Sequence, residues 1–361
     1  MTDLIYSQLR KSEHNGSVQL SDTNIVLVNV GNLGRAGIAK QLNIINRYKP
    51  AVVAVDITFE KLKGNAGDTL LANAFAKTKN LVLASYFDYS KLELNAAFDL
   101  MRTSHPYFSA GKQNAFVNFV SADPESTVRY VRPSEEFEGK KYNCFAAEIV
   151  KKFSADASEK FEKRDNEVEV INYTGRRDNF IVFDAGEIND TNGNLAVIRG
   201  KIVILGFLGP DTRTQVLEDS HFTPMNAKYS GRSFPDMYGQ LIHANIVSMM
   251  LAGSYINEMP FWLLIIVAFV ICYIHMFFFI HYYVHRHIWF HIFFKVVQLI
   301  TSFIIVGISL WLYADFNYKV ETGLILIPVI LSVDLLYFYD ALVKWLHKKY
   351  GYKTYYVSAQ H

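Results

Sequence analysis

The pattern of hydrophobic and polar residues changes once along this chain, near residue 258. Before that point, apolar runs of strand length alternate with stretches in which apolar residues recur at helical spacing. After it, long apolar segments follow one another with few charged residues. The first pattern is typical of buried strands with covering helices, and the second of helices that cross a membrane. The pattern therefore predicts an α/β domain at residues 23–258 and a membrane region at 259–343.

Runs rich in Val and Ile predict the strands of the α/β domain. They lie at 24–30, 51–59, 80–87, 114–120, 179–185 and 201–207. Between the first two runs, Ile38, Leu42 and Ile45 recur on one helical face, and Pro50 follows the helix. Strand, helix and strand in this order predict parallel pairing. Further helical patterns lie at 68–78, 92–102, 143–154 and 236–253. We therefore expect a largely parallel sheet with covering helices.

Apolar segments long enough to cross a bilayer lie at about 261–284, 288–313 and 321–343. A crossing helix needs ~20 mostly apolar residues. Basic residues collect between the first two segments, at Arg286, and in a tail at 344–361 that includes Lys344, Lys348 and Lys349. Since positive charge favours the cytoplasmic side, we expect a bundle of three transmembrane helices in a bacterial inner membrane. The tail would lie in the cytoplasm and the α/β domain in the periplasm.

The first residues raise a conflict with this orientation. A domain of this size must be exported, yet residues 1–22 contain no charged-then-apolar signal region. We expect these residues to be a juxtamembrane segment preceded by a signal or spanning helix. The inverted orientation is the alternative.

Charge and motifs exclude several classes of function. The chain has 361 residues and a net charge of +2, and its basic residues are spread along the sequence, so we expect no nucleic-acid partner. The glycines of "VGNLGRAG" (30–37) match neither a dinucleotide fingerprint nor a P-loop, which favours a turn over a nucleotide site. Metal-ligand and nucleophile motifs are also missing from the sequence. We therefore expect no enzyme, no cofactor and no bound metal.

Polar residues near the carboxyl ends of the predicted strands form a candidate ligand site. Asp56 ends the second strand, and Asn29, Asp211, Arg213 and His221 lie in segments that would reach the same edge. Ligands of α/β domains bind at this edge of a parallel sheet. Capping and hydrogen bonding within loops are the alternative for these side chains.

His243 lies in the helical segment "GQLIHANIVSMMLAGSYI" (239–256), which leads directly into the membrane region. Single histidines in such helices pack against neighbouring elements, and sensing or ligation is the alternative. We therefore regard His243 first as a packing residue of a helix that couples the α/β domain to the membrane.

Ionisable residues also occur inside the predicted spans. Lys295 and Asp334 lie at comparable depth in the second and third spans, and His275 reaches a similar level in the first. An unpaired charge in lipid costs ~2.5–3.5 kcal/mol or more. We therefore expect an ion pair between Lys295 and Asp334 inside the bundle, with proton or ion conduction as the alternative.

Several sequence motifs occur together and in order. They are "IVLVNV", "KPAVVAVDITF", "GKIVILGFLGPD", "FTPMN" and "PDMYGQLIHANIVSMML", followed by the apolar segments. In this the chain resembles the second type of the CHASE domain family, over about residues 20–258 and the helices behind them. The resemblance implies an exported α/β sensory domain behind an N-terminal spanning helix, then three spanning helices and a cytoplasmic output domain such as a kinase or cyclase.

The chain departs from this family pattern in two places. Only 18 residues follow Val343, too few for a catalytic domain. The first loop reads "VNVGNLGR", with Asn29 and Asn32 where relatives often have an acidic D-x-D-D/E pattern. We therefore expect a sensory or scaffolding subunit that binds a small-molecule ligand or protein partner. Its helices would dock another integral membrane protein or a second copy of the chain. Ion- or proton-coupled transport through Lys295, Asp334 and His275 is the alternative.

Overall fold

The computed structural model describes residues 22–88, 100–120, 126–189, 195–211, 214, 216–226, 234–284 and 290–352. The chain divides into two compact units, the first ending at Tyr255 and the second beginning at Ile256. We call them the α/β unit and the helical unit. The juxtamembrane segment expected at 1–22, apart from Asp22, lies outside the described residues, as does Arg213.

Strands and helices alternate along the α/β unit. The strands are β1 (Ile25–Asn29), β2 (Val52–Val55), β3 (Leu81–Asp88), β4 (Leu100–Arg102), β5 (Gln113–Phe116), β6 (Tyr130–Val131), β7 (Ser134–Phe137), β8 (Lys140–Asn143), β9 (Glu169–Val170), β10 (Ile181–Phe183), β11 (Ile202–Gly206), β12 (Ser220–His221) and β13 (Met237–Tyr238). The helices are α1 (Arg35–Arg47), α2 (Ala66–Lys77), α3 (Pro106–Ser109), α4 (Phe145–Phe153), α5 (Ala155–Glu162), α6 (Ala185–Asn189) and α7 (Gly239–Ala252).

Seven of the described strands form one sheet with the order β10-β1-β11-β2-β3-β4, in which β5 also pairs with β3, and the other described strands pair two by two. All pairings in the seven-stranded sheet are parallel except that of β3 with β4. Each predicted run overlaps one of its strands, so the prediction of an α/β domain with a largely parallel sheet is confirmed. These runs form strands because β-branched residues fit a pleated surface that is buried on both faces.

The two faces of the sheet bury different helices. Val26, Val53 and Leu205 belong to the core shared with α1 and α2, and the strand residues beside them point to the other face. That other face packs against α7 and α4. Alternation along each strand therefore directs Asn29, Gly206 and Asp56 toward the side covered by α7.

The helix predicted at 92–102 is wrong at its end. Leu100–Arg102 form β4, which pairs antiparallel with β3, and the rest of that segment lies outside the described residues. The strand places the Arg102 guanidinium 2.8 Å from the Asp88 carboxylate and 3.2 Å from that of Glu60. This pairing between strands is a tertiary interaction that the helical periodicity of the segment does not reveal.

The described residues of the helical unit form three long helices. They are α8 (Phe261–Val284), α9 (Phe290–Phe316) and α10 (Thr322–Tyr350), with the short strands β14 (Asn257–Glu258) and β15 (Tyr318–Lys319) at one end. Two stretches, Phe261–His281 and Ile292–Phe316, are long and apolar enough to cross a membrane.

The third predicted span forms the first part of α10, and among the described residues its apolar stretch Thr322–Ser332 is shorter than the two others. Asp334 and Asp340 lie further along the same helix. The helix also continues to Tyr350, so the basic tail predicted at 344–361 begins as the last turns of α10. Residues 353–361 lie outside the described part of the chain.

Candidate functional site

Asn29, Gly206 and Asp56 lie side by side at the carboxyl edge of the sheet. Asn29 is paired with Gly206, and since Leu205 is paired with Val55, the next residues along, Gly206 and Asp56, are neighbours. A Cβ atom on Gly206 would lie 3.1 Å from Cδ of Gln240 and 3.2 Å from Cβ of Asp56. The missing side chain at Gly206 therefore lets the first turn of α7 lie against the sheet beside Asp56.

Gln240 attaches this first turn of α7 to the sheet. Its Nε2 donates to the carbonyl oxygen of Ile204 at 2.6 Å and is 3.4 Å from that of Val28. The side chain is fully buried, and its Oε1 accepts no hydrogen bond from any described residue. Gln240 thus joins α7 to two strands and keeps one unused acceptor next to Asp56.

The Asp56 carboxyl group is partly buried and makes no hydrogen bond with the described residues. Burial, together with the smaller effect of the nearby negative charge of Asp219, raises its pKa to about 8. Burial has this effect because it disfavours the charged form of the carboxyl group. Asp56 is therefore largely protonated at neutral pH.

Asp219 lies at the N-terminal end of α7. Its backbone carbonyl accepts from the Gly239 N–H at 3.2 Å, and its Oδ1 would be 3.2 Å from a Cβ on Gly239. Oδ1 is also 3.7 Å from Nε2 of His221. The positive end of the helix dipole favours a carboxylate at this position. Asp219 has no distinguishing motif in the sequence, because only the return of the chain to β12 brings it to this helix end.

His243 packs against aromatic rings one turn further along α7. Its ring centroid lies 4.7 Å from that of Phe119 and 5.1 Å from that of Phe145. Phe119 also contacts His221, with the ring centroids 5.2 Å apart. His243 is 4% exposed, and its Nδ1 has no hydrogen-bond partner among the residues described. Burial, together with the smaller effect of His221, lowers its pKa to about 3, so the ring is neutral.

These contacts join four ionisable residues, Asp56, Asp219, His221 and His243, which we call the edge cluster. Three of them, Asp56, His221 and His243, are candidates from the sequence, and Asp219 is new. Within the described ranges, no group of three His, Cys, Asp or Glu side chains is placed to hold a metal ion.

The other two candidates, Asn29 and Asp211, hold loops together. The Asn29 Nδ2 donates to Oδ1 of Asp184 at 2.9 Å and to the Gly209 carbonyl at 3.0 Å. Its Oδ1 accepts from the Gly31 and Leu208 N–H groups. Asp211 accepts from the N–H of Thr214 at 2.8 Å and from its hydroxyl at 2.9 Å. Both side chains thus make the loop hydrogen bonds that were the alternative to ligand binding.

The ion pair expected between Lys295 and Asp334 is not formed. Both residues are exposed, and no salt bridge between described residues joins them. Asp334 follows the buried Ser332 by two residues, and two residues turn an α-helix by ~200°. Because Ser332 lies on the side of α10 that contacts α9, the helix directs the Asp334 side chain away from α9.

Other polar residues link the helices. His275 Nε2 lies 3.2 Å from the Thr301 hydroxyl, between α8 and α9. Gln298 of α9 donates through Nε2 to α10, 2.8 Å from the Val329 carbonyl and 3.2 Å from the Ser332 hydroxyl. Gln298 was missed in the sequence, although a single glutamine in an apolar helix is a signal for such a contact.

The edge cluster predicts that stability is nearly constant between about pH 4 and 6.5, where two opposing proton effects cancel, and that it falls on either side of this range. Between about pH 4 and 8, folded Asp56 holds a proton that the unfolded chain has lost, so its contribution to stability falls as pH rises through this window. Between pH 6.5 and about 3, unfolded His243 binds a proton that the folded ring does not, so its contribution to stability falls as pH falls.

Substitutions at Asp56 and His243 separate these two effects. At pH 9, Asp56→Asn should raise the free energy of unfolding by roughly 2 kcal/mol, because the partly exposed carboxylate is screened by solvent and costs less than a fully buried one. The substitution should also remove the decline in stability at alkaline pH. His243→Phe should remove the effect that offsets Asp56, so its stability should already fall as pH rises from about 4 to 6.5. Melting temperatures of the full chain in detergent from pH 4 to 9 measure both, with Asp156→Asn, an exposed acid on α5, as control. An alkaline decline that persists in Asp56→Asn would contradict the assignment.

Comparison with known proteins identifies the family. A family model described as the CHASE2 domain matches residues 16–279, which confirms the resemblance noted in the sequence. No curated protein and no solved structure matches the chain. CHASE2 domains are extracellular sensory domains, and the two apolar helices of the helical unit agree with a membrane protein. The match spans well over half of the chain, which therefore belongs to the CHASE2 domain family.

Proposed function

We propose that this chain is the sensory unit of a membrane protein and that its edge cluster is the input site. A signal changes the charge of Asp56, and α7 passes the change toward the membrane. One observation carries this proposal: Gln240, in the first turn of α7, packs beside Asp56 at Gly206. Only residues 253–260 separate the end of the same helix from α8.

The burial of α7 supports its role as a connecting element. Every residue from Gly239 to Met250 is buried. Asn245 also ties the middle of the helix to residues 174 and 175 through hydrogen bonds of 2.9–3.0 Å. Packed interiors resist gradual deformation, so a new charge at Asp56 would shift this helix as a body instead of bending it.

The same proposal covers location and partners. The α/β unit would lie outside the cytoplasm, the C-terminus in the cytoplasm and the helices in a bacterial inner membrane, following the positive charge at Lys344, Lys348 and Lys349. The chain itself would carry no catalytic activity, and a membrane-embedded partner would receive the signal.

Hydrogen exchange tests the proposed route. The full chain in lipid nanodiscs is compared at pH 6.5 and 8.5, after correction for the intrinsic effect of pH on exchange. Ionisation of Asp56 should speed exchange in the first turn of α7 and in residues 253–260. Asp56→Asn should abolish this difference, while Asp156→Asn should keep it. Equal exchange at both pH values in the unmodified chain would rule out the route.

A further inference from the structure

Lys295 and Asp334 lie at the same level of the helical unit. Gln298, three residues after Lys295, contacts α10 at Val329, Ile330 and Ser332. A short connection joins α9 to α10, so the two helices run in opposite directions. Starting from the contact between Gln298 and Ser332, one turn toward the N-terminus of α9 therefore reaches the same level as one turn toward the C-terminus of α10. One turn is ~5.4 Å, so Asp334 reaches the level of Lys295, which lies within the candidate span Ile292–Phe316.

Both charged side chains face away from the interior of the unit. Asp334 lies on the side of α10 opposite the buried Ser332. Lys295 and Thr301 are three residues before and three residues after Gln298, so they lie on the two opposite flanks of the helix surface that is centred on Gln298. The flank with Thr301 contacts α8. Lys295 is therefore on the flank of α9 nearest to α10, and it is exposed.

Apolar side chains surround each charge. On α9, Ile292 and Leu299, both 58% exposed, lie one turn before and one turn after Lys295. On α10, Leu331 and Phe338, which are 47% and 74% exposed, flank Asp334 in the same way. Lipid tails suit these apolar neighbours but not the charges, and ionisable groups in membranes pair with one another.

We propose that a second copy of this chain covers this face, with Lys295 of each copy pairing with Asp334 of the other about a two-fold axis. In a two-fold interface, if Lys295 of the first copy contacts Asp334 of the second, then Asp334 of the first copy also contacts Lys295 of the second. Both ion pairs therefore form together. The chain carries both signs of charge at one level, which is what this symmetry requires. The second copy would also neutralise the acid that lies among the exposed apolar side chains of α10. This inference does not depend on the sensing role of the edge cluster.

Charge reversal tests the two-fold pairing. Molecular mass and the monomer–dimer dissociation constant are measured for the full chain in lipid nanodiscs and in mild detergent. Lys295→Asp would place acid against acid at both contacts, and Asp334→Lys would place base against base. Each variant alone should weaken self-association about tenfold or more, which is ~1.4 kcal/mol per factor of ten. Lys348→Asp, a reversal at an exposed residue near the end of α10, should dimerise as the unmodified chain does.

Mixing the two variants gives the sharpest result. Lys295→Asp and Asp334→Lys chains with different tags should associate with each other, because each acid then faces a lysine, and the double reversal in one chain should also restore the dimer. Thermal melting of the full chain, followed by far-ultraviolet circular dichroism so that the helical unit is included, shows whether each variant is folded. A monomeric unmodified chain, or a mixture that stays monomeric while both variants are folded, would overturn the proposal. So would recovery of the unmodified chain in complex only with a different membrane protein.

Discussion

Replacing Asn29 by aspartate should lower the free energy of unfolding of the α/β unit by about 4 kcal/mol. The Asn29 amide nitrogen donates to the Asp184 carboxylate and to the Gly209 carbonyl, and the residue is fully buried. An aspartate at this position could not donate to the Asp184 carboxylate or the Gly209 carbonyl, and its negative charge would repel that of Asp184. Chemical denaturation of the full chain in detergent, followed by near-ultraviolet circular dichroism, measures the loss.

The matched control is the same substitution at Asn65, the N-cap residue of α2. Its side chain only accepts a hydrogen bond, from the Gly67 N–H at 2.9 Å. Aspartate can accept this bond and suits the positive end of a helix, so Asn65→Asp should leave stability unchanged or slightly raised. Equal effects at both positions would mean that the Asn29 hydrogen bonds do not stabilise the loops.

Replacing Asn245 by leucine should cost about 4 kcal/mol as well. The Asn245 Oδ1 accepts from the Thr174 and Gly175 N–H groups, and its Nδ2 donates to the carbonyls of Gly175 and Leu241. Leucine has nearly the same shape, so the loss reports the buried backbone groups left without partners. Chemical denaturation of the full chain measures it.

Met250, on the same helix and 1% exposed, provides the comparison. Met250→Leu changes the shape of the side chain without removing a polar group, and such swaps cost less than about 1.5 kcal/mol. If Asn245→Leu were no more destabilising than Met250→Leu, the hydrogen bonds would not hold α7 to residues 174 and 175.

The sheet could be predicted from the sequence because each strand is a local pattern. A run such as "KIVILGF" contains its own signal, since a short apolar run rich in β-branched residues is typical of a strand that is buried on both faces. β4 was missed because its pairing with β3 depends on Arg102 meeting Asp88 and Glu60, and nothing in the local periodicity encodes that contact.

The candidate site was predictable in part, for a related reason. Asp56 follows a clear strand, so the rule for parallel sheets placed it at the correct edge. Asp219 reaches the same place through an irregular segment and a two-residue strand, whose path no pattern defines. The sequence placed Lys295 and Asp334 correctly at the same level along their helices, because this position follows from counting residues. It did not show that the Asp334 side chain faces away from α9, because that depends on which side of each helix is packed.

Two polar side chains at the carboxyl edge of the sheet, Asn29 and Asp56, lie two strands apart and differ in how many hydrogen bonds they make. Asn29 uses its whole amide to hold the surrounding loops, whereas Asp56 makes no side-chain hydrogen bond with the described residues. A change at Asp56 therefore leaves the scaffold of loops in place. This division makes the edge evolvable: descendants of this chain can acquire a different input specificity by substitution around Asp56, without first having to rebuild the fold that presents it.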